Sequence, residues 1–173
     1  WVDEETECAP TAPIGKMRRD IEVAVLGHEG EMTTNVARLV GIYGPGRSLA
    51  KYIESGRYKV VDREKPTNRV HVDDIVTSVM AMIQRGGASN RLYNVSDGHP
   101  ARVGEFVDWL VEEYGLQEPE EVSLEAYAES RSDDAVARWA NTYRVSNDRL
   151  LDELGVELAY ENVFEGTREI LGD

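Results

Sequence analysis

Four short segments contain the residues whose side chains could bind anions or transfer protons. They read Ala37-Arg-Leu-Val-Gly-Ile-Tyr-Gly-Pro-Gly46, Arg69-Val-His-Val-Asp-Asp74, Leu92-Tyr-Asn-Val-Ser-Asp97 and Arg144-Val-Ser-Asn-Asp-Arg-Leu-Leu-Asp-Glu-Leu-Gly155. Arginine donates hydrogen bonds to anions, and tyrosine, histidine and aspartate can exchange protons. The sequence contains no nucleophile–histidine–acid set, no His-Glu-x-x-His motif and no Walker loop. The chemistry therefore depends on the elements that place these four segments.

Apolar, β-branched runs predict buried strands over residues 35–43, 69–72 and 91–96. Helical spacing of apolar residues predicts helices over 16–26, 47–55, 75–84 and 102–114, with Gly86-Gly87 ending the third. Shorter helices are predicted over 124–130, 133–140, 146–155 and 162–171. Strands that alternate with helices indicate an α/β fold with a mostly parallel sheet. Three strands are few for that architecture, so the sequence reads as half of a larger sheet.

The charge of the chain bears on its partners. The net charge is −14, which argues against nucleic acid because phosphate binding depends on lysine and arginine. A dispersed acidic surface with few lysines is typical of salt-loving organisms, and an ordinary acidic protein from a GC-rich genome is the alternative. No run of about 18 apolar residues and no signal peptide is present, so no membrane is expected. The single cysteine, Cys8, fits a reducing, cytoplasmic setting.

Taken together, in this order and spacing, the four segments resemble the extended short-chain dehydrogenase/reductases, the NAD-dependent epimerase/dehydratase family. The resemblance runs from about Trp1 to Leu171. It implies part of a Rossmann-like doubly wound parallel sheet and a small, mostly helical C-terminal lobe. Residues 1–115 would then be the C-terminal part of the NAD(P)-binding domain, whose N-terminal part is absent. Residues 116–173 would form the substrate-binding lobe, with a contribution from 44–70.

The catalytic signature of that family is a Tyr-x-x-x-Lys pair, in which lysine lowers the pKa of a tyrosine that acts as acid and base. The stretch Pro10-Thr-Ala-Pro-Ile-Gly-Lys-Met-Arg18, followed by Glu22, resembles the frame around this pair. Ile14 stands at the tyrosine position and Arg18 at the lysine position. Because isoleucine has no titratable group, it cannot act as the acid or base. The catalytic residues therefore stay unknown.

The resemblance also implies ligand contacts at the ends of the strands. Cofactor contacts are expected from Arg18, Leu39, Val40 and Gly41, and substrate contacts from Tyr43, Arg47, Arg69 and Arg144. Arg69 is offset from the arginine that usually binds the diphosphate, and Tyr43 with Pro45 has the alternative role of building a turn. His71 is expected to be structural, Asp73 to be an N-cap, and Asp74 to interact with the helix dipole. No metal site is expected.

Two functions from different classes follow from this sequence. One is an NAD- or NADP-dependent epimerase, dehydratase or reductase that acts on a nucleotide sugar or a similar polar metabolite. The other is a catalytically inactive NAD(P)-binding sensor or scaffold of the same fold, which the residues at positions 14 and 18 favour. A companion chain or an N-terminal half is expected to complete the sheet, and a homodimer is expected to form through the helix over residues 16–26.

Overall fold

The computed structural model describes residues 1–28, 32–85 and 90–172. Six strands are present in that part of the chain: β1 (Asn35–Leu39), β2 (Gly41–Tyr43), β3 (Pro66–Thr67), β4 (Arg69–His71), β5 (Arg91–Val95) and β6 (Ala101–Arg102). β1 pairs with β5 and β2 pairs with β4, both in parallel, whereas β3 and β6 form a short antiparallel pair. The predicted α/β fold with parallel strands is therefore confirmed, with more strands than the three expected.

The strand predicted over residues 35–43 is divided at Val40, because the chain changes partners there. Leu39 is still in register with Val95 of β5, and Gly41 is already in register with Arg69 of β4. The N–H of Gly41 donates to the carbonyl of Asn68 at 3.0 Å. An apolar run in the sequence contains no signal for such a change of partner, since every residue in it can occupy a strand.

Eight helices lie in the described residues: α1 (Pro13–Leu26), α2 (Leu49–Glu54), α3 (Val72–Arg85), α4 (Val103–Tyr114), α5 (Leu124–Ala128), α6 (Asp133–Ala140), α7 (Asp148–Leu154) and α8 (Val163–Leu171). Each agrees with a predicted helix to within a few residues. The prediction of Asp73 as an N-cap is wrong, because α3 begins at Val72 and Asp73 lies in its first turn. The predicted helix end at Gly86-Gly87 lies outside the described residues.

The buried apolar residues form two clusters. The first joins α4 to α2 and α8 and includes Tyr43, Phe106 and Leu110. The second joins β4, β5, α3 and α7 around Tyr93 and Leu150. Burial of apolar area is the main stabilising contribution in each cluster. Tyr43, at the end of β2, thus connects the parallel strands to the helical cluster.

Two helices expose several apolar side chains to solvent. α1 has no buried residue, and Met17 and Ile21 are among its exposed side chains. α3 exposes Val76, Met80 and Ile83 on one side, with Ile83 73% exposed. Apolar faces of this size are typical of surfaces that contact another element or chain. None of the helices in the described part of the chain is long and apolar enough to cross a membrane.

Two backbone bridges hold the C-terminal helices in place. Val60 donates to the carbonyl of Glu120 at 3.0 Å and accepts from Val122 at 2.9 Å. In the second bridge, the N–H of Val2 donates to the carbonyl of Arg144 at 2.8 Å, and the carbonyl of Val2 accepts the N–H of Ser146 at 2.9 Å. The lobe is therefore joined both to the segment after α2 and to the first residues of the chain.

Candidate functional site

The register of β2 and β4 places polar side chains on one face of this strand pair. Gly41 is paired with Arg69 and Tyr43 with His71, and residues two apart on a strand point to the same face. Asp97 follows the end of β5, and its N–H donates to the carbonyl of Arg69 at 2.8 Å. Tyr43 and His71 lie at the carboxyl ends of β2 and β4, where ligands bind in open α/β sheets, and Arg69 begins β4 beside Asp97; together these residues form the candidate site.

Tyr43 is the most enclosed residue of this site, with 4% of its surface exposed. Its ring meets that of His71 edge-on, with centroids 5.2 Å apart, and its hydroxyl donates to the carbonyl of Asn162 at 3.4 Å. Burial raises the pKa of Tyr43 well above its usual range, and the nearby carboxylates Asp97 and Asp74 raise it further. The phenol therefore stays neutral, and it cannot replace a tyrosine whose pKa must fall for catalysis.

The guanidinium of Arg69 lies across Gly41. A Cβ atom at Gly41 would stand 3.1 Å from Cδ and 3.2 Å from Nη1 of Arg69. The Nε of Arg69 is buried and has no hydrogen-bond partner. Desolvation is the largest cause that lowers the pKa of Arg69, although the group stays charged because a free guanidinium titrates far above neutral pH. A buried donor without an acceptor is unfavourable unless a ligand supplies one.

Asp97 is a buried carboxyl group with 5% of its surface exposed. One oxygen, Oδ1, accepts the N–H of His99 at 3.0 Å, and the other, Oδ2, has no partner. Burial raises the pKa of Asp97 to about 7, while the His99 N–H, His99 and Arg69 act in the opposite direction. A carboxyl with such a pKa can hold or release a proton near neutral pH.

Asp74 and the ring of His71 both contact the segment before α8, and the centroids of the His71 and Tyr160 rings are 4.1 Å apart. His71, 2% exposed, accepts the N–H of Asp73 at Nδ1, 3.2 Å away, so in the neutral ring the proton is on Nε2. Asp74 accepts the N–H groups of Ala159 and Tyr160 at 2.6 and 3.3 Å. Asp74 lies in the first turn of α3, as the dipole role requires, and it also fixes the segment before α8.

The remaining predicted substrate residues lie at two exposed places. Arg47 closes the turn after β2, where it and Gly44 exchange backbone hydrogen bonds of 2.9 and 3.0 Å, and its side chain is exposed. It is close enough to Arg69 to lower the pKa of that residue. Arg144 lines a groove of about 400 Å³ together with His99, Asn162 and other residues. The structure thus places Arg47 near Arg69, and it places Arg144 in a groove whose lining includes Asn162, the partner of the Tyr43 hydroxyl.

The predicted cofactor residues do not all present free groups. Leu39 is 42% exposed at the end of β1, whereas Val40 packs against the second apolar cluster. The N–H of Gly41 is already bonded to Asn68. Arg18 is exposed on α1, and the N–H of Ile14, at the tyrosine position of the frame, donates to Oδ1 of Asp134 at 3.1 Å.

Two of the predicted cofactor residues, Leu39 and Arg18, have exposed side chains of the kind that a nicotinamide cofactor would need. The exposed Leu39 side chain offers an apolar surface, and the exposed Arg18 can donate hydrogen bonds to a ribose or phosphate. Gly41 fits less well, because its only N–H is already in use. Within the described residues, no cluster of three histidine, cysteine, aspartate or glutamate side chains could hold a metal ion.

Two functional residues escape the sequence analysis. Asn68 donates from Nδ2 to the carbonyl of Tyr143 at 3.1 Å and accepts the N–H of Val145 at Oδ1, 2.8 Å away. This side chain therefore holds the segment that carries Arg144. Asp97 is not among the site residues predicted from the sequence, although its position directly after a buried strand is the signal that places ligand-binding residues in such sheets.

Comparison with known proteins supports the fold. No family model matches the chain. YeeZ of Escherichia coli K12 is 28% identical over 122 residues, which are 69% of this chain and 42% of YeeZ. A functionally unknown conserved protein from Silicibacter pomeroyi is 31% identical with a TM-score of 0.86, over 100% of this chain and 60% of that one. A structure of a NAD-dependent epimerase/dehydratase homologue from Methylobacillus flagellatus is 26% identical with a TM-score of 0.71, over 99% and 57% of the two chains.

The chain is a structural match to the NAD-dependent epimerase/dehydratase proteins, the extended short-chain dehydrogenase/reductases. It is also a partial homologue of YeeZ, and it spans less than two thirds of the length of these relatives. Other structures of this dehydrogenase/reductase fold contain ligands. MoeE5, 20% identical with a TM-score of 0.77 over 99% of this chain and 60% of its own, was solved with UDP-glucose and NAD. Human SDR39U1 is 13% identical with a TM-score of 0.82, over 98% of this chain and 58% of its own, and it was solved with NADPH.

Proposed function

We propose that this chain forms the substrate-binding part of an NAD(P)-dependent, epimerase/dehydratase-like oxidoreductase that acts on a nucleotide sugar. The observation that carries the proposal is the Arg69 guanidinium, whose buried Nε lacks a partner at the start of β4, where the carbonyl of Arg69 accepts the N–H of Asp97. Arg47 lies close enough to Arg69 to lower the pKa of that residue, so this region contains two cations. Guanidinium groups bind phosphate with two parallel hydrogen bonds, and a nucleotide sugar carries two phosphates.

The residues of this chain position the substrate and exclude water from it. Arg69 and Arg47 bind its anionic part, while Tyr43 closes the bottom of the site with a neutral phenol. Asn68, directly before β4, keeps the segment 143–145 against the start of that strand, next to Arg69. When bound, a nicotinamide cofactor would supply hydride transfer, and Leu39 and Arg18 would contact it from this chain. We assign residues 116–173, together with 44–70, to the substrate-binding lobe.

The second candidate is a catalytically inactive NAD(P)-binding sensor or scaffold. Two observations favour it. The side chain of Ile14, at the tyrosine position, has no titratable group, and the backbone N–H of Ile14 donates to Asp134. Tyr43 does not replace the missing tyrosine, because burial raises the pKa of its phenol. In the enzyme, the proton must therefore be exchanged by another group, and the Tyr-x-x-x-Lys mechanism does not operate from α1.

The partners follow from the exposed surfaces. The apolar side chains of α3 fit the remaining part of a doubly wound sheet, supplied by an N-terminal half or by a companion chain. The exposed side of α1 fits a homodimer contact through helix packing. We expect a cytoplasmic protein that binds neither nucleic acid nor membranes.

A titration of the full-length protein with NADH and NADPH, followed by quenching of cofactor fluorescence, tests the proposal. The same protein is then assayed for turnover on a panel of nucleotide sugars. Cofactor binding with turnover on any of them supports the enzyme. Cofactor binding without turnover on the whole panel supports the sensor, and an absence of cofactor binding contradicts both.

A further inference from the structure

His99 lies in the turn that follows β5, beyond the carboxyl end of that strand. Leu39, the last residue of β1, is in register with Val95, the last residue of β5, so the turn begins beside the expected cofactor surface. Asp97 fixes the turn on both sides. Its Oδ1 accepts the N–H of His99 at 3.0 Å, and its own N–H donates to the carbonyl of Arg69 at 2.8 Å. The histidine is therefore held where ligands bind in open α/β sheets.

The contact of the His99 ring with Asp97 determines which ring nitrogen carries the proton. Nδ1 of His99 lies 3.1 Å from the carbonyl oxygen of Asp97. A carbonyl oxygen only accepts, so Nδ1 is the donor, and in the neutral ring Nε2 is the acceptor. His71 has the opposite arrangement, because its Nδ1 accepts the N–H of Asp73 at 3.2 Å. Of these two histidines, only His99 is exposed and can present a basic nitrogen to a ligand.

The groove beside this turn has the size and the lining of a small-molecule site. His99, Arg144 and Phe164 line it, and its volume of about 400 Å³ lies in the range of ligand pockets. The wall formed by Phe164 is rigid, because its ring meets those of Phe106 and Trp109 edge-on, with centroids 5.5 and 5.2 Å apart. An apolar wall with a few polar groups is the usual composition of such sites.

The other polar groups of the groove have different roles. Glu105 also lines it, but its Oε2 accepts the N–H of Arg102 as part of the cap of α4. Arg144 is a donor without a proton to exchange, since a guanidinium stays protonated. Asn162 completes the lining, and its carbonyl accepts the hydroxyl of Tyr43 at 3.4 Å, so the groove adjoins the candidate site. Among these side chains, His99 is the one suited to accept a proton near neutral pH.

We propose that His99 is the acid–base residue of this chain and acts, in place of the missing tyrosine, on a hydroxyl group of a sugar bound in the groove. In the oxidation step the hydroxyl proton passes to Nε2 of His99, the C–O bond becomes a carbonyl, and the hydride on the same carbon passes to an oxidised nicotinamide. The imidazolium keeps its Nδ1–H on the carbonyl of Asp97, and in the reverse step it returns the proton. The inference rests on the proposed function for the reaction, whereas the tautomer of His99 is a property of this chain alone.

Nitrogen-15 NMR of the histidine rings in the full-length protein tests the tautomer without cofactor or turnover. At a pH where the rings are neutral, His99 should be protonated on Nδ1 and His71 on Nε2. The spectra of His99→Gln and His28→Gln assign the signals by difference. Addition of UDP-glucose should shift the signals of His99 and leave those of His28, an exposed residue directly after α1, unchanged. A neutral His99 protonated on Nε2, or signals that do not respond to the ligand, overturns the inference.

Turnover on the panel of nucleotide sugars tests the catalytic role. His99→Gln should lower kcat by about 100-fold or more with little change in KM, and the rise of kcat/KM with pH that reports the base should disappear. Imidazole added to His99→Ala should restore part of the turnover. His28→Gln is the matched control and should keep the wild-type kcat. Wild-type turnover in His99→Gln overturns the inference and leaves the proposed function in place, whereas a wild-type protein that binds cofactor without turnover contradicts the enzyme and the role of His99 together.

Discussion

Arg38 donates from Nε and Nη2 to both carboxylate oxygens of Glu22, at distances of 2.7 to 3.1 Å, and so joins β1 to the middle of α1. Both side chains are largely buried. The contact matters because α1 has no buried residue of its own, so apolar burial holds it only weakly. A two-pronged, partly buried ion pair is among the stronger polar contacts in proteins. In the family resemblance, Glu22 belongs to the frame around Ile14 and Arg18.

Glu22→Gln should destabilise the protein by about 1–3 kcal/mol, because it leaves the partly buried Arg38 without its counter-ion. The free energy of unfolding of the full-length protein in urea measures the loss. The control is Asp20→Asn, which removes a negative charge from an exposed position on the same helix. Equal effects of the two substitutions would show that the pair contributes nothing beyond general charge.

Gly166→Ala should destabilise the protein by about 1–3 kcal/mol through overpacking. A Cβ at Gly166 would overlap the hydroxyl oxygen of Tyr43 and would stand 2.8 Å from Cε2 of that ring, so the tyrosine ring must move. Because the ring carbons are also too close, the double substitution with Tyr43→Phe should recover little of the loss. Thermal unfolding of these variants and of Glu169→Ala, an exposed control on α8, checks this. A Gly166→Ala protein as stable as the control would mean that α8 shifts freely.

Asn68→Ala should release the segment that carries Arg144. The side chain of Asn68 holds this segment by two hydrogen bonds, one of which protects the N–H of Val145. Hydrogen exchange at Val145 should become about tenfold faster, which corresponds to the loss of one hydrogen bond of ordinary strength. Glu64→Ala, at an exposed position before β3, is the control. Unchanged exchange at Val145 would show that the bridge to Val2 is sufficient to hold the segment.

The elements were predictable because their signals are local. The spacing of apolar residues predicts α4, for example, and Gly115 ends it with a left-handed φ of 62°, a conformation that favours glycine. The partner change at Val40 was not predictable, since it depends on which strands lie on either side. The strands β3 and β6 contain only two residues each, which is too few to show an alternating pattern.

The site was predictable only in part, for the same reason. Strand ends and arginines indicate Tyr43, Arg47 and Arg69 from the sequence. The relation between Gly41 and Arg69 depends on register, which brings together residues that are far apart in the chain. The raised pKa of Asp97 depends on burial beneath segments distant in sequence. Pair relationships of this kind carry no local signal, so a single sequence does not show them.

The stability of the protein should fall as the pH rises from about 4 to about 7, by the contribution of Asp97. Its pKa is about 7 in the folded protein and 3.8 as an unperturbed group, so in this range the folded state binds more protons than the unfolded state. Stability from this group is therefore fully present below the unfolded pKa and is lost as the pH passes through the folded pKa. The difference is on the order of a few kcal/mol.

Asp97→Asn removes this titration. The amide keeps an acceptor for the N–H of His99, so the variant should match the wild type at pH 4 and be more stable at pH 8. Urea unfolding at several pH values gives the comparison, with Asp108→Asn, on the exposed side of α4, as the control. A variant whose stability follows the same pH dependence as the wild type contradicts the raised pKa.

The isolated 173-residue chain should associate with itself, because α3 presents Val76, Met80 and Ile83 to solvent. Apolar surface of this kind is buried by association when no other partner is present. Replacing Val76 and Ile83 with serine should reduce the mass measured by light scattering, whereas Thr77→Ser, a conservative change at an exposed position on the same helix, should not. The same pair of substitutions should lower the free energy of unfolding of the full-length protein if another part of the sheet covers this face. A monomeric isolated chain with a cooperative thermal transition would show instead that α3 needs no cover.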